Sequence, residues 1–567
     1  MLNQEQQKAL EDMGNCIVAS CPGSGKTHLI VEKTIHFLKT IPNSKIALVT
    51  FTKASAEEMK KRILAKYETD RVISSTFHSY AYKQLTDSGI KIKTPTNGEY
   101  YEIMRQVKLS LNSDESIAYI IEAVEYFNSK AKPESYKKEK NYIFYEKYRE
   151  FMNQLKLLDF SEISRISLNG MKTGKFNTLA VTHIFADEYQ DTDEIQSQWI
   201  LEHVKKGVIV AVVGDDDQSI YSFRNSLGYE GMMIFEREAK ATMHTLDRCY
   251  RCKEEILEIA VNVIEKNSER VNKNIRSAAG TGGKYFVKDF ANRDEELEAI
   301  IQFIFESHGS IGVLARSNSL LDAVEARCTA NGIQVQRSSS ETFWDSYGAS
   351  FFISILESVI DDNNYSGIFQ ALSFIRADND YIDEIINRMK TKESNLLGTI
   401  TDENIKSFIN NFKKWKTFLT KDIDIVLYGI AGWIEDHDKT KNNTYGRQAD
   451  AAATSIAGMS GTIKQRLLKI KNQSTKTGEI PEHKVFLTTM HSSKGLEFDN
   501  VWILACEEGI SPSDKLSKIK DNSKNIDEER RLFYVAMTRA KLILIMSYVK
   551  SEESTPSRFL VEAGVIV

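Results

Sequence analysis

A short apolar strand, a glycine-rich turn and a helical pattern follow one another near the start of the chain, and this succession restricts the fold more than any other feature. The apolar run is Asn15 to Ala19, and the helical pattern runs from Thr27 to Lys39. Between them lies Ser20-Cys21-Pro22-Gly23-Ser24-Gly25-Lys26-Thr27. Such a turn closes its backbone N–H groups around phosphates at a helix N-terminus. The sequence therefore predicts a phosphate-binding loop, in which Lys26 reaches the β/γ phosphates of a nucleotide and Thr27 ligates Mg²⁺.

The alternation of strands and helices continues beyond this loop. Lys45 to Thr50 reads as the next strand and Ser55 to Lys66 as the next helix. A second αβ series follows from Gly283 to Arg337, with further strands at Val485 to Met490 and Val501 to Cys506. Such alternation is typical of parallel sheets with helices on both faces, so the predicted class is doubly wound α/β.

The length of the chain requires more than one domain. Its 567 residues exceed the ~250–300 at which a single hydrophobic core stops growing. Long helical patterns without strands interrupt both αβ series. The predicted domains are a first αβ domain (1–84 and 178–280) with a helical insertion (85–177), and a second αβ domain (281–341 and 474–567) with a helical insertion (342–473).

Composition narrows the classes of function. The formal net charge is −5, so no global positive field attracts a polyanion and any nucleic-acid site must be local. No apolar run approaches the ~18–20 residues of a membrane span, and the N-terminus lacks the layout of a signal peptide. Six cysteines in a chain of this size fit reduced thiols better than a disulfide framework. The expected location is the cytoplasm.

A second acidic element completes the predicted nucleotide site. Asp187 and Glu188 follow the strand Thr182 to Ala186 directly, which places them at a sheet edge. There Asp187 would hold Mg²⁺ through water, and Glu188 would orient or deprotonate the attacking water. A solvated acidic turn is the alternative, but it explains neither the preceding strand nor Gln190 and Asp191 after it.

Besides the phosphate-binding loop, seven motifs, in order along nearly the whole chain, resemble those of the UvrD/Rep/PcrA-type superfamily 1 DNA helicases. Beyond the phosphate-binding loop and the Asp187-Glu188-Tyr189-Gln190-Asp191 box, they are Leu2-Asn3-Gln4-Glu5-Gln6, Val49-Thr50-Phe51-Thr52 with Ser75-Thr76-Phe77-His78, Gly214-Asp215-Asp216-Asp217-Gln218-Ser219-Ile220-Tyr221, Tyr250-Arg251, Thr489-Met490-His491-Ser492-Ser493-Lys494-Gly495-Leu496-Glu497-Phe498, and Glu528-Glu529-Arg530-Arg531-Leu532-Phe533-Tyr534-Val535-Ala536-Met537-Thr538-Arg539-Ala540. The resemblance implies two RecA-like motor domains, with the helical insertions corresponding to the domains called 1B and 2B.

The resemblance also assigns nucleotide contacts. It implies that Gln6 reads adenine, that Tyr250 stacks on adenine and that Glu497 accepts a hydrogen bond from the ribose hydroxyl. His28 stands where relatives commonly carry an arginine against adenine, so selectivity for ATP is expected to be looser.

Three further residues receive catalytic roles from the resemblance. Gln218 would couple the γ-phosphate to the surface that binds the DNA strand. A nucleotide site split between two lobes needs cations from the far lobe for the charge that develops on the γ-phosphate, and Arg251 and Arg539 are the matching residues. The cofactors implied are ATP and Mg²⁺, with Thr27 and Asp187 as the metal ligands.

DNA contacts follow from the remaining motifs. Stacking on aromatic rings tolerates any base, which suits an enzyme that must step over any sequence. The residues implied for DNA contact are the aromatic Phe51, Tyr221 and Phe223, Thr52 and Phe77 in the strand-binding motifs, and Arg224, His78, Arg316 and His491 near phosphates or sugars. For each aromatic residue, packing in a core is the alternative.

Two functions from different classes remain open. The first is an enzyme that translocates 3′→5′ on single-stranded DNA and unwinds duplex junctions with ATP. The second is an ATP-gated DNA sensor that regulates a partner nuclease, as in anti-phage systems such as Gabija, and unwinds poorly alone.

Cys249-Tyr250-Arg251-Cys252 has metal-ligand spacing, but no second cysteine or histidine pair accompanies it. The basic, aromatic segment from Lys130 to Arg149 is interpreted equally well as a DNA-tracking surface and as a solvated amphipathic helix.

Overall fold

The computed structural model describes residues 2–338, 342–391, 393, 395–440, 443–474, 485–514, 522–551 and 554–566. By its contacts the chain divides into two compact units. The first comprises Met1–Tyr285, Glu508–Leu542 and Ser557–Val567, and the second comprises Phe286–Glu507 and Ile543–Pro556. Contacts thus group Glu508–Leu542 with the first unit, whereas the sequence-based division assigns that segment to the second motor domain. The division into motor and insertion domains stays a prediction.

A parallel sheet of six strands among the described residues organises the first unit. The strands are β1 Cys16–Ser20, β2 Ile46–Thr50, β3 Val72–Thr76, β4 His183–Ala186, β5 Ile209–Gly214 and β6 Thr242–Leu246. Their order is β3-β2-β4-β5-β1-β6, and every neighbouring pair is parallel. A short parallel pair, β7 Arg248–Cys249 and β8 Arg276–Ser277, follows. The predicted α/β class with parallel sheets is confirmed.

Helices flank this sheet and build the block between β3 and β4. They are α1 Gln4–Glu11, α2 Lys26–Thr40, α3 Lys53–Lys66, α4 Phe77–Asp87, α5 Asn97–Ser110, α6 Ile117–Asn128, α7 Tyr142–Gln154, α8 Phe160–Lys172, α9 Glu194–Lys205, α10 Gly228–Ala239 and α11 Glu254–Ile264. The helices from α5 to α7 share a core rich in aromatic side chains, with Phe127 and Tyr148 at its centre. Residues 85–177 contain no strand, in agreement with the helical pattern of that segment.

Neither edge strand of the first sheet, β3 or β6, was predicted from the sequence. β3 and β6 carry partly exposed polar side chains, such as Ser74 and His244, where the central strands β1 and β2 are fully buried. An edge strand has a neighbour on one side only, so its sequence need not be apolar. The strand predicted from Thr182 begins one residue later in the structure, at His183.

The second unit is built on another sheet. Its strands are β9 Lys284–Phe290, β10 Ile311–Ala315, β11 Val335–Arg337, β12 Val485–Thr489, β13 Phe498–Ile503 and β14 Ala540–Val549, in the order β11-β12-β10-β13-β14-β9. β10 is parallel to β12 and to β13, and β11 is parallel to β12. The helices of this unit are α12 Arg293–Glu306, α13 Asn318–Ala330, α14 Tyr347–Ile360, α15 Ser366–Phe374, α16 Asn379–Lys390, α17 Leu396–Thr399, α18 Glu403–Phe418, α19 Ile423–His437, α20 Thr444–Gly458 and α21 Ile463–Ser474.

The helices from α14 to α21 enclose one large apolar core, whose buried side chains include Phe352, Phe408 and Trp433. Two C-terminal helices, α22 Asn522–Met537 and α23 Arg558–Glu562, belong to the first unit. No helix within the described ranges is both long enough and apolar enough to cross a lipid bilayer.

Candidate functional site

Three chain segments meet at the carboxyl edge of the first sheet because β1, β5 and β4 are adjacent and parallel. The phosphate-binding loop follows β1, the acidic pair follows β4, and the Asp215–Gln218 segment follows β5. Ser20 Oγ donates a hydrogen bond to the Gly214 carbonyl, 2.9 Å away, and so joins the first segment to the third. The fold thus brings together residues that are 194 positions apart in the sequence.

The geometry of the loop after β1 fits a phosphate group. Gly23 and Gly25 have φ values of 64° and 82°, in the left-handed region that side chains disfavour. A Cβ atom at Gly23 would lie 2.7 Å from Cβ of Arg251, so only glycine allows this close approach. The Ser24 side chain is buried and its hydroxyl has no partner among the described residues. Lys26 and Thr27 open α2 and remain partly accessible.

Gln6 lies against this loop. Its Nε2 atom donates to the Ser24 carbonyl at 2.9 Å, and its Oε1 atom accepts from the Asn3 backbone N–H at 3.0 Å. Asn3 Nδ2 in turn donates to the Tyr250 hydroxyl at 2.9 Å, and the Tyr250 ring is half exposed. Gln6 is therefore engaged on both sides of its amide here, and its contact with adenine stays a prediction. His28 is exposed on α2, with Nδ1 3.9 Å from a carboxylate oxygen of Glu32.

The acidic pair has an unusual backbone. Asp187 is buried at the end of β4, and Glu188 adopts φ 53° in the left-handed region. A residue other than glycine pays ~1–3 kcal/mol for such a conformation, which persists where the surroundings fix it. Gln190 Nε2 donates to Glu188 Oε2 at 2.5 Å, and the Glu188 N–H donates to Asp187 Oδ1 at 2.9 Å. These contacts hold both carboxylates at the sheet edge.

The Thr27 hydroxyl and the Asp187 carboxylate offer the hard oxygen ligands that Mg²⁺ prefers, so the predicted ligand pair fits this metal chemically. Among the described residues, the only group of three metal-ligand side chains lies elsewhere, at Asp215, Asp216 and Asp217. That cluster already surrounds the ammonium of Lys273, which lies within 3.0 Å of an oxygen of each carboxylate.

Gln218 connects the β5 segment to the turn that follows α22. Its Nε2 atom donates to Asp215 Oδ2 at 2.5 Å, and its Oε1 atom accepts from Arg539 Nη2 at 3.0 Å. The Asp215 backbone N–H donates to Gln190 Oε1 at 2.9 Å. Gln218 is therefore linked to Glu188 through Asp215 and Gln190, which follow two different strands.

Two guanidinium groups lie beside this network. The Tyr250 backbone N–H donates to the Gly23 carbonyl at 3.0 Å, which docks the Arg251 segment on the phosphate-binding loop, and Arg251 Nη1 donates to the Thr538 carbonyl at 3.3 Å. Arg539 is 1% exposed. Burial, and then the neighbouring charge of Arg251, lower the pKa of Arg539. Two cations held together in a buried place favour an anion between them, which is the requirement of a γ-phosphate site.

Two cations of this region, the partly buried Arg270 and the buried Lys273, were not predicted from the sequence. Arg270 forms two hydrogen bonds with the carboxylate of Asp217, at 2.9 and 2.8 Å. Both residues lie between α11 and β8, where no helix or strand period distinguishes a buried side chain from a solvated one. Only their contacts identify them.

Three aromatic rings and one arginine lie close together on the predicted DNA-binding face of the first unit. Phe51 and Tyr221 stack in parallel with their centroids 6.1 Å apart, and Tyr221 meets Phe223 edge to face at 5.8 Å. The Arg224 guanidinium lies 5.5 Å and 5.6 Å from the ring centres of Tyr221 and Phe223. Phe223 is 52% exposed, so its ring is available to a base. A cavity of about 590 Å³ adjoins Phe223 and Arg224 and extends to Phe160.

Phe77 is a correction to the predicted DNA contacts. Its side chain is buried in the core of the first unit, where it meets the Trp199 ring edge to face at 6.0 Å. It is the first residue of α4, so the helix turns the ring towards the sheet while the next residue, His78, faces Phe160 at 5.4 Å. Phe160, which is 60% exposed, is an aromatic residue of this face that the motifs did not single out.

Thr52 and His78 have local roles that accord with this surface. The Thr52 side chain caps α3 by accepting from the Ser55 N–H at 3.1 Å. Burial lowers the pKa of His78, so its imidazole is neutral at pH 7 and would contact DNA as a hydrogen-bonding group.

The remaining predicted residues belong to the second unit. Arg316 follows β10 and His491 follows β12, and the two strands are parallel neighbours with Ala315 opposite Thr489. Burial, and then the charge of Arg316, lower the pKa of His491 to about 4, so this imidazole is neutral at pH 7. Glu497 is exposed just before β13.

Comparisons with known proteins agree with the motifs. The family model described as the UvrD/REP helicase N-terminal domain matches residues 2–238, and the UvrD-like helicase C-terminal domain matches residues 244–465 and 430–551. The chain is 27% identical to the ATP-dependent DNA helicase Rep of Buchnera aphidicola, with 99% of this chain and 96% of that protein covered. It is 26% identical to DNA helicase II of Haemophilus influenzae and to the ATP-dependent DNA helicase PcrA of Staphylococcus epidermidis, in each case over 99% of this chain and 86% of the relative.

Proposed function

Because the chain belongs to the UvrD/Rep family of ATP-dependent DNA helicases, we propose that it uses ATP hydrolysis to move 3′→5′ along single-stranded DNA and to separate duplex strands at junctions. The observation that carries this proposal is the hydrogen bond between Arg539 and Gln218. It joins the turn after α22 to the segment that also presents Tyr221 and Phe223. A change at the γ-phosphate can therefore reach a DNA-binding surface through side chains already in contact.

In the proposed mechanism, this chain's residues bind and polarise the nucleotide. The backbone of the loop after β1 and Lys26 hold the phosphates, while Arg251 and Arg539 stabilise the charge that develops on the γ-phosphate. Thr27 and Asp187 would hold Mg²⁺, whose contribution is further positive charge at the phosphates. Glu188 orients the attacking water and takes its proton, since its carboxylate is fixed by Gln190.

On the DNA side, stacked aromatic rings bind bases without reading their identity. The proposed platform consists of Phe51, Tyr221 and Phe223, with Arg224 placed to contact a phosphate or a base face. Arg316 and His491 are the proposed DNA contacts of the second unit. This arrangement suits translocation because each step must tolerate any base.

Strand separation tests the function and its polarity. The purified protein should unwind a duplex with a 3′ single-stranded tail in the presence of ATP and Mg²⁺, and leave a 5′-tailed duplex of the same sequence intact. A matched reaction with a non-hydrolysable ATP analogue serves as the control. Unwinding of the 5′-tailed duplex alone would contradict the 3′→5′ assignment.

Phe223→Ala should weaken binding to single-stranded DNA by roughly 1–3 kcal/mol, the value of one base stack. DNA should also stimulate ATP hydrolysis less in this variant, because the lost ring belongs to the segment that carries Gln218. Fluorescence anisotropy with a labelled oligonucleotide measures the affinity, and phosphate release with and without DNA measures the stimulation.

Two controls make this test specific. Tyr101→Ala removes another exposed aromatic ring of the first unit, on α5, and should leave DNA affinity unchanged. Phe223→Trp keeps a stacking face and should retain binding. Full DNA affinity and full stimulation in Phe223→Ala would mean that the ring serves packing only.

The sequence also allows an ATP-gated sensor that regulates a partner nuclease. No feature of the described residues favours a nuclease partner, so this alternative enters only as an outcome of the unwinding assay. DNA-stimulated ATP hydrolysis without separation of either tailed duplex would support it.

A further inference from the structure

Lys273 is a buried lysine of the first unit that lies next to the predicted nucleotide site. Its side chain is fully buried, and its Nζ atom lies 3.0 Å from Asp215 Oδ1, 2.7 Å from Asp216 Oδ1 and 2.9 Å from Asp217 Oδ2. It also donates to the Ser20 carbonyl at 3.3 Å, at the start of the phosphate-binding loop. One ammonium group therefore contacts both strand ends that flank the predicted nucleotide site.

The charges in this cluster are nearly balanced. Three aspartates face Lys273 and Arg270, so the net formal charge is −1. Burial alone would lower the pKa of Lys273, but the three carboxylates outweigh it and raise the pKa well above its ordinary value. Lys273 is therefore charged throughout the physiological pH range. Without it, Arg270 would compensate one of the three carboxylates and two would be left without a cation.

Asp215 is the branch point of the cluster. Its Oδ1 atom accepts from Lys273, while its Oδ2 atom accepts from Gln218 Nε2 at 2.5 Å. With its Nε2 held in this way, the carboxamide of Gln218 presents Oε1 to Arg539 at 3.0 Å.

The backbone of the same residue serves a second branch. The Asp215 N–H donates to Gln190 Oε1, which directs Gln190 Nε2 to the carboxylate of Glu188. An amide side chain whose acceptor is already occupied must turn its donor the other way. The position of Asp215 thus fixes the orientation of two carboxamides, one towards the arginine and one towards the acid.

We propose that Lys273 is a positioning residue of the ATPase, which holds Asp215 so that Gln218 and Gln190 orient Arg539 and Glu188 for hydrolysis. This inference rests on the proposed function. Lys273 itself touches no substrate, and acts through Asp215 in both branches. The alternative is that Lys273 only neutralises buried charge and so stabilises the fold.

A charge-balanced double variant separates the two roles. Lys273→Met with Asp216→Asn leaves two carboxylates and one guanidinium, which preserves the net charge of −1 but removes the hydrogen bond to Asp215. Asp216→Asn alone is the reference variant. The measurements are kcat and KM for ATP with saturating DNA, and the midpoint of thermal unfolding.

The kcat of the double variant should be roughly 10–100-fold lower than that of Asp216→Asn, the effect of a small displacement of catalytic groups from their productive positions. KM for ATP should change by less than about threefold, since the phosphate-binding residues are intact. Equal kcat in the double variant and in its reference, with wild-type hydrolysis present, would overturn the inference. Absence of hydrolysis in the wild type would instead contradict the proposed function.

A second variant guards against misfolding of the first. Asp215→Asn keeps the shape of the side chain and leaves Lys273 paired with Asp216 and Asp217. It should fold, bind ATP and show the same loss of kcat. A wild-type kcat in Asp215→Asn would show that neither branch depends on the contact with Lys273, and would also overturn the inference.

Discussion

The Glu188→Gln variant will bind ATP with nearly normal affinity and hydrolyse it roughly 10²- to 10⁴-fold more slowly than the wild type, the range for loss of a general base. The carboxamide has almost the same shape as the carboxylate, so the left-handed backbone at this position, φ 53°, is retained. It cannot take a proton from water at neutral pH. Nucleotide binding by titration and single-turnover hydrolysis, measured separately, test this expectation.

Lys26→Ala should show the complementary behaviour. Here the cation that contacts the phosphates is removed, so hydrolysis should be abolished and nucleotide binding should weaken as well.

Glu194→Gln is a matched control for Glu188→Gln, since it neutralises a nearby carboxylate that accepts a hydrogen bond from Gln198 on α9 and does not join the network. Wild-type turnover in Glu188→Gln would remove Glu188 from the catalytic role.

Arg539→Ala will reduce turnover by ~10³–10⁵-fold, the range for an arginine that stabilises the transition-state charge of phosphoryl transfer. Nucleotide affinity should change far less, because the ground state is held by the phosphate-binding loop. Arg251→Ala should behave similarly, since its side chain lies beside Thr538 and the same anion site. Steady-state kcat with saturating ATP and DNA, compared with ATP affinity, measures the difference.

Arg530→Ala is the matched control, at an arginine of the helix α22 that precedes Arg539. Arg530 bonds Asn267, Asp527 and Glu562, so its loss should lower thermal stability while each folded molecule keeps its turnover. Arg539→Lys tests geometry, because lysine keeps the charge but not the planar fork of donors. Lower affinity with unchanged turnover in Arg539→Ala would place this arginine outside the transition state.

Several structural features could be predicted from local sequence. The pattern that predicts the strand, glycine turn and helix around Lys26 lies within about 25 residues, and the left-handed conformations of Gly23 and Gly25 explain why that pattern requires glycine. The parallel arrangement follows from the alternation of strands and helices. The structure has both features.

Other assignments failed or stayed open because side-chain direction depends on packing. Phe77 and Phe223 are both aromatic residues of motifs, yet one is 4% exposed and the other 52%. A motif gives the position of a ring along the chain, whereas the face of the helix that meets Trp199 decides its burial. For the same reason the sequence assigns Gln6 to adenine, while in the structure its amide braces Ser24.

The sequence by itself determined the α/β class, the family and the residue types at the nucleotide site, because these are set by short-range patterns and ordered motifs. Only the tertiary structure decided which charges meet. Arg539 reaches Gln218 across 321 positions, and Lys273 reaches Asp215 across 58. A buried lysine and a solvated one look alike in a sequence. The physical difference lies in the three carboxylates that the sheet edge and the loop after α11 bring within hydrogen-bond distance of Lys273.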